Sequence, residues 1–135
     1  MKPAEKDVEL CRLLARMNQQ MDAHVRGVAD ALGITASQAV ALRELSGPIT
    51  LRELAERMCC EASNAGYVVD RMEAQGLVER QPHPADRRAK LLALTDAGRG
   101  CRRNVLDALS REAPIDALSA AEQRALADLL RKATT

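Results

Sequence analysis

The chain has 135 residues, and its 20 basic and 19 acidic side chains give a formal net charge of +1. That length fits a single domain with a buried core, and that charge excludes a polybasic protein that coats nucleic acid by bulk electrostatics. Aromatic residues make up 1% of the chain, which excludes proteins that stack single-stranded bases on aromatic rings and disfavours aromatic cages for sugars or quaternary amines.

The first 45 residues predict two helices. Apolar residues recur at three- and four-residue steps across residues 4–31, a pattern typical of one long amphipathic helix. They are Leu10, Leu14, Met17, Met21, Val25 and Val28. Gly33 is expected to end this helix, and Thr35 and Gln38 have the spacing of a capping box that begins a second helix over residues 36–45. Long amphipathic helices near a terminus often pack against a partner chain, although a core helix gives the same pattern.

A tight pair of helices follows. Thr50 and Glu53 form a second capping box at the start of the third helix, and a short break at residues 59–61 separates it from a fourth helix over residues 62–75. Gly76 is well placed to end the fourth helix in the left-handed conformation. The residues expected to face inward are Leu51, Leu54, Ala55 and Met58 in the third helix and Ala65, Val68 or Val69, and Met72 in the fourth.

After Gly76 the hydrophobic period becomes that of extended backbone. Residues 77–81 and 89–94 predict two strands, and the prolines of residues 82–85 predict the turn between them. A tight helix pair followed by a hairpin is the winged helix-turn-helix arrangement. The predicted fold class is therefore mainly α with a small β-hairpin wing.

Two helices complete the predicted fold. Thr95 and Asp96 cap the fifth helix, which Pro114 is expected to end, and Ser119 and Glu122 form a third capping box at the start of the last helix. The apolar residues expected to face inward are Ala97, Cys101, Val105 and Leu109 in the fifth helix and Leu126, Leu129 and Leu130 in the last.

The basic side chains are concentrated in one segment. Residues 71–103 hold eight basic and four acidic side chains, whereas residues 1–70 hold eight and ten and residues 104–135 hold four and five. This distribution predicts a localised anion-binding surface, which begins at the end of the fourth helix.

The sequence predicts a cytoplasmic protein without a membrane partner, metal or other cofactor. No apolar run approaches the ~20 residues that span a bilayer, and the first residues lack the apolar core of a signal peptide. In that compartment cysteines are expected as free thiols. The four cysteines form no CxxC pair and only two histidines accompany them, so a structural zinc site is not expected.

On these elements the chain resembles the MarR family of bacterial transcription regulators. The matching segments are Leu51–Met58, Ser63–Asn64 with Val69–Glu73, Gly76–Arg80, and the wing segment Pro84–Lys90 running into Leu94–Gly98. The most specific match is Asp86-Arg87-Arg88, which fits the Asp-x-Arg signature of the family's wing.

The resemblance implies one MarR-type domain over residues 1–135. Residues 1–34 and 96–135 would supply dimerisation helices, and residues 35–95 would form the winged helix-turn-helix. The family's members are homodimers that bind a near-palindromic duplex site, mostly repress transcription, and in many cases release DNA when a small anionic or aromatic ligand binds. No catalytic activity is implied.

In this context the fourth helix would enter the major groove. Ser63 in its first turn can hold a phosphate, Asn64 can bond an adenine edge, and Tyr67 can contact a thymine methyl group or a phosphate. Arg71 is predicted to contact a phosphate, and Gly66 to allow close approach to DNA. A solvated polar face is the alternative interpretation.

The wing is predicted to bind beside it. Arg88 is the best candidate for insertion into the minor groove, with Asp86 holding its guanidinium in a bidentate pair. Arg87, Lys90 and His83 are predicted to reach phosphates, although a solvated turn residue is nearly as good an interpretation of Arg87. For Arg99, Arg102 and Arg103 on the fifth helix we expect structural roles.

Two kinds of sensor remain open. Met17, Met21 and His24 could line an effector pocket, or simply fill a dimer seam. Cys11 matches by position the reactive thiol of the family's hydroperoxide sensors but lacks their tyrosines, and the adjacent pair Cys59 and Cys60 precedes the fourth helix. Core packing is the favoured interpretation of each of these cysteines.

The sequence leaves three kinds of function to compare. A dimeric, sequence-specific regulator that binds duplex DNA is favoured, with a thiol-based redox regulator as a variant of it. A winged-helix interaction or dimerisation module without DNA binding would not need the basic wing. An enzyme is disfavoured because no catalytic motif stands out.

Overall fold

A computed structural model describes residues 5–135 of the chain, with side chains from Asp7 onward. Six α-helices, a short 3-10 helix and three strands follow one another in the described chain. They are α1 (Glu5–Leu32), α2 (Ala36–Glu44), β1 (Ile49–Thr50), α3 (Leu51–Met58), α4 (Ala62–Ala74), β2 (Val78–Pro82), β3 (Lys90–Leu94), α5 (Asp96–Leu109), the 3-10 helix (Pro114–Ala117) and α6 (Ala120–Thr134). The predicted fold class is confirmed; residue 4, the predicted start of the first helix, lies outside the described residues.

The described residues divide into two compact units. One contains residues 5–24 and 111–135, and the other contains residues 25–110. The second unit holds the winged helix-turn-helix together with the end of α1 and all of α5. None of the helices in the described residues is long and apolar enough to cross a membrane.

Three helices begin at the capping boxes that the sequence predicts. Thr35 and Gln38, Thr50 and Glu53, and Ser119 and Glu122 each form a reciprocal capping box. In the third box the Ser119 backbone N–H donates to the Glu122 carboxylate, which lowers the pKa of that carboxyl group below its ordinary value. Gly33 and Gly76 adopt positive φ angles at the ends of α1 and α4, as expected.

The core of the second unit lies between α2, α3, α4 and α5 and the sheet. Its largest fully buried side chains are Leu42, Leu54, Met72, Leu92, Val69 and Val105. These positions confirm the predicted inward faces of α3 and α4. In α5 the prediction was partly wrong, because Ala97 is exposed and Gly98 is buried instead.

The sheet has three strands where a two-stranded hairpin was predicted. β2 and β3 pair antiparallel, and β1 pairs with the other edge of β3 through Ile49 opposite Leu92. The predicted hairpin is therefore correct, but the core places a third, two-residue strand against it. β1 leads directly into α3, so it ties the start of the helix pair to the wing.

The C-terminal segment differs from the prediction in two places. α5 ends at Leu109, and Pro114 begins the 3-10 helix. Proline suits a first helical position because the N–H that it lacks would have no helical partner there. Leu129 and Leu130, expected to face inward, are exposed in the single chain, and Leu126 is half-buried.

The turn between α3 and α4 contains a left-handed residue with a side chain. Cys59 has φ 57° and ψ 44°, and the Cys60 N–H donates back to the Ala55 carbonyl in the pattern of a Schellman motif. A non-glycine residue in this conformation is strained, because its Cβ approaches its own carbonyl oxygen.

We therefore expect Cys59→Gly to raise the free energy of unfolding by about 1 kcal/mol, because glycine adopts this conformation without that strain. Cys60→Gly is the matched control: its backbone is not left-handed, so glycine there should give no gain. Denaturant unfolding of both variants and the parent tests this, and an equal change in the two variants would contradict it.

Candidate nucleic-acid interface

One face of α4 is buried and another is presented to solvent. Ala65, Val69 and Met72 are fully buried against the core of the second unit. Ser63, Asn64, Tyr67 and Arg71 are exposed, and Tyr67 retains 77% of its accessible surface. An exposed aromatic ring on a helix whose opposite face is anchored is a feature that a binding surface explains better than folding does.

Gly66 lies half-buried between these two faces. A Cβ built at this position would meet the Leu51 side chain at 3.6 Å, an ordinary contact distance. The fold therefore does not require glycine here, and the cost of glycine inside a helix, about 1 kcal/mol relative to alanine, is left without a structural reason.

The wing, residues 78–94, consists of β2, β3 and the tip between them. Pro82 pairs with Lys90 at the last rung of the ladder, so the wing tip is residues 83–89. Asp86, Arg87, Arg88 and Lys90 are exposed, whereas His83 is half-buried. The base of the wing is anchored through Val78 and Leu92, which are buried in the core.

Asp86 does not hold the Arg88 guanidinium as predicted. Its Oδ1 atom accepts the backbone N–H of Arg88 at 2.9 Å, and within the described residues it forms no ion pair. An Asp side chain bonding the N–H two residues ahead forms an Asx turn. Asp86 thus sets the backbone that carries Arg88 and does not pair with its guanidinium.

His83 likewise bonds the backbone of the tip. Its Nδ1 atom accepts the N–H groups of Ala85 and Asp86, each at 3.0 Å. A ring nitrogen that accepts a hydrogen bond carries no hydrogen, so the donor of the neutral ring is Nε2.

Arg80 has a role that the sequence did not reveal. Its guanidinium joins β2 to α4 by ion pairs with Asp70, at 2.7 Å, and with Glu73. The hydrogen bond to Asp70 raises the pKa of Arg80. Arg80 was counted in the basic segment, but its charge is neutralised within the fold. Asp70 and Glu73 are three residues apart on α4, but nothing in the sequence around them indicates that Arg80, on a strand, forms ion pairs with both.

Two arginines of α5 are also structural. Arg99 donates to the Leu94 carbonyl and pairs with Asp96, and Arg102 donates from Nε to the Leu42 carbonyl at 3.0 Å. The expectation of structural roles is confirmed for these two. Arg102 satisfies a carbonyl near the C-terminal end of α2, where a cation also complements the helix dipole.

The remaining cations of the basic segment are unneutralised. In the part of the chain that the structure describes, none of these side chains forms an ion pair: Arg71, Arg87, Arg88, Lys90 and Arg103. Four of these five belong to α4 and the wing. The basic surface is therefore smaller than the sequence suggested, and it is concentrated on these two elements.

The residues predicted for sensing lie elsewhere. Met17, Met21 and His24 are half-buried at successive turns of α1. All four cysteines are free thiols, and Cys60 is half-buried. Cys11 and Cys59 are exposed in the single chain, so the expectation of core packing is wrong for these two. Among the described residues no group of three or more His, Cys, Asp or Glu side chains could hold a metal ion.

Comparisons with known proteins agree with this arrangement. The family model described as "MarR family" matches residues 34–90. The uncharacterized HTH-type transcriptional regulator YkoM of Bacillus subtilis is 29% identical over 133 residues, which cover 96% of this chain and 86% of that protein. The multiple antibiotic resistance protein MarR of Salmonella typhimurium is 32% identical over 93 residues, or 67% of this chain and 65% of that protein.

A solved structure gives the same result. In a crystal structure of a cysteine-to-serine mutant of MarR from E. coli complexed with operator DNA, the protein matches with a TM-score of 0.76 and 26% identity, and the match covers 100% of both chains.

Proposed function

Because this chain belongs to the MarR family of transcriptional regulators, we propose that α4 and the wing form the surface with which it binds duplex DNA. The observation that carries the proposal is a set of exposed cations that form no ion pair with the described residues: Arg71 at the end of α4 and Arg87, Arg88 and Lys90 on the wing. Unpaired cations on two neighbouring elements are what phosphate binding requires, because each phosphate contact releases condensed counterions.

The recognition helix of this proposal is α4. Asn64, Tyr67 and Arg71 lie three and four residues apart and so share a face. Asn64 would bond an adenine edge and Tyr67 a thymine methyl group or a phosphate, while Ser63 in the first turn and Arg71 hold the backbone. Gly66 supports the proposal since nothing in the free fold requires it; it would let the helix backbone approach DNA.

The wing would bind beside the helix. Arg88 would enter the minor groove, where the negative potential is concentrated, and Arg87 and Lys90 would contact phosphates. Asp86 would act by setting the Arg88 backbone, as its hydrogen bond indicates. In this proposal α4 recognises the bases, and the wing mainly holds the protein in position on the DNA.

We propose that the protein acts as a homodimer that binds a near-palindromic DNA site. Exposed apolar side chains support this: Val8, Leu10, Leu13 and Leu14 on α1 and Leu129 and Leu130 on α6. A single chain leaves all of these in water, whereas a second copy would bury them. Two recognition helices related by a two-fold axis then read two half-sites.

We propose the half-buried Met17, Met21 and His24 as candidates for contacts with a small anionic or aromatic effector. Methionine side chains adapt to varied apolar ligands, and an imidazole can hydrogen-bond a carboxylate. In this proposal the protein represses transcription, and binding of such a ligand relieves the repression.

The test is binding to the duplex upstream of the protein's own gene and to a scrambled duplex of equal composition, at several salt concentrations. We expect preference for the upstream duplex, and an affinity whose logarithm falls steeply with the logarithm of salt concentration, by roughly 0.9 per phosphate neutralised. Equal, weak binding to both duplexes would contradict the proposal and favour an interaction module without DNA binding.

A further inference from the structure

The wing tip is held by two turns in series. His83 Nδ1 accepts the N–H groups of Ala85 and Asp86, both at 3.0 Å, and so closes the first turn. Asp86 closes the second, because its Oδ1 atom accepts the Arg88 N–H at 2.9 Å and its carbonyl accepts the Ala89 N–H at 3.3 Å. Asp86 therefore belongs to both turns, as a donor in the first and as an acceptor in the second.

The tip has few other constraints. Pro84 inside it and Pro82 at its base have no N–H to donate. Between residues 83 and 89 of the described chain, the bond from Ala89 to Asp86 is the single backbone–backbone hydrogen bond. Side-chain acceptors thus replace the backbone partners that a shorter hairpin would have.

Whether the wing tip is folded before binding matters, because Arg87 and Arg88 both lie in its second turn. A disordered tip would have to be fixed when DNA binds, and the entropy of that ordering opposes association. A tip that is already folded presents both guanidinium groups at no such cost.

We propose that His83 is the positioning residue of the wing: its Nδ1 atom fixes the first turn, which places Asp86 to fix the second and so directs Arg87 and Arg88. This inference rests on the proposed function. It assigns His83 a role different from a phosphate contact, which would use the outward Nε2–H group.

Substitution of His83 by asparagine or by glutamine distinguishes the positioning role from a phosphate contact. The amide of asparagine lies close to the position of Nδ1 and that of glutamine close to the position of Nε2, so His83→Asn keeps the turn acceptor and His83→Gln keeps the outward donor. We expect His83→Gln and His83→Ala to weaken binding to the upstream duplex roughly tenfold, as the loss of two hydrogen bonds implies, with His83→Asn within about twofold of the parent.

The opposite order, with Gln retained and Asn impaired, would overturn the proposal in favour of a phosphate contact. Equal affinity of all three variants would also overturn it. All three should keep the parent's melting temperature, because the tip lies outside the buried core.

A measurement without DNA distinguishes failure of this inference from failure of the proposed function. Amide hydrogen exchange of Ala85 and Asp86 should be slow in the parent and in His83→Asn, and faster in His83→Gln and His83→Ala. If the parent shows no preference among duplexes, the proposed function fails whatever these amides do. If exchange is the same in His83→Gln as in the parent, the positioning role of His83 fails even if DNA binds.

Discussion

Replacing Gly98 by alanine should lower the free energy of unfolding by about 3 kcal/mol, at the upper end of the usual cost of overpacking. A Cβ built on Gly98 would lie 2.0 Å from the carbonyl oxygen of Leu77 and 3.0 Å from its carbon. Neither atom belongs to a flexible side chain. The substitution therefore requires the start of α5 and the start of β2 to separate.

The Leu77 carbonyl cannot move away without breaking other bonds. It accepts the Thr95 N–H at 3.0 Å, while the Thr95 hydroxyl donates to the Gly76 carbonyl and accepts the Gly98 N–H. Any shift that makes room for a Cβ disrupts the cap of α5 and the turn after α4 together. The same shift would disturb the position of the wing relative to α4.

Gly100→Ala is the matched control in the same helix. Its Cβ would have an arginine side-chain nitrogen 3.8 Å away as its nearest contact, so this variant should be stabilised by up to about 1 kcal/mol through helix propensity. Thermal unfolding at one fixed protein concentration tests the pair, and we expect Gly98→Ala to melt about 10 °C below the parent. Equal melting temperatures of the two variants would contradict the prediction.

The parts of the fold that the sequence predicted are those fixed by neighbouring residues. The capping boxes beginning at Thr35, Thr50 and Ser119 depend on bonds across three residues, and all three are confirmed. Gly76 ends α4 for an equally local reason, its positive φ. Such signals are readable because both partners of each interaction lie in one short segment.

The parts that were missed depend on distant partners. β1 is two residues long and exists because Ile49 pairs with Leu92, so no periodicity could reveal it. Ala97 was expected to face inward because it fits the apolar stripe, yet the close approach of the Leu77 carbonyl selects Gly98 for the buried position. Arg80 was assigned to a basic surface because its two acidic partners lie on another element.

For the candidate site, the sequence located the exposed residues but did not reveal their bonding. Arg88 and Arg87 are exposed as expected. The pair of Asp86 with the Arg88 guanidinium was wrong, because a short side chain at a turn bonds the nearest free N–H first. The DNA-binding roles themselves remain predictions.

The largest effect on DNA binding is expected from Arg88→Ala. An arginine in the minor groove is desolvated and fixed in position, and its loss should weaken binding to the upstream duplex by roughly 10- to 100-fold. A homodimer loses two such contacts per site, which places the expected value toward the upper end of that range. Asp86 fixes the Arg88 backbone in the free protein, so little of the parent's binding energy is spent on ordering this residue.

Arg87→Ala and Arg103→Ala are the controls that distinguish the minor-groove role of Arg88 from a phosphate contact and from a general effect of charge. Arg87 lies next to Arg88 in the same turn, and as a phosphate contact its loss should weaken binding to the upstream and scrambled duplexes alike, with a shallower salt dependence. Arg103 is an exposed cation on α5, outside α4 and the wing, and it forms no ion pair with the residues that the structure describes. Arg103→Ala therefore removes the same charge and should leave the affinity near that of the parent. Competition binding with both duplexes measures all three variants. If Arg88→Ala loses no more than Arg103→Ala, net charge alone accounts for binding and the wing does not enter the minor groove.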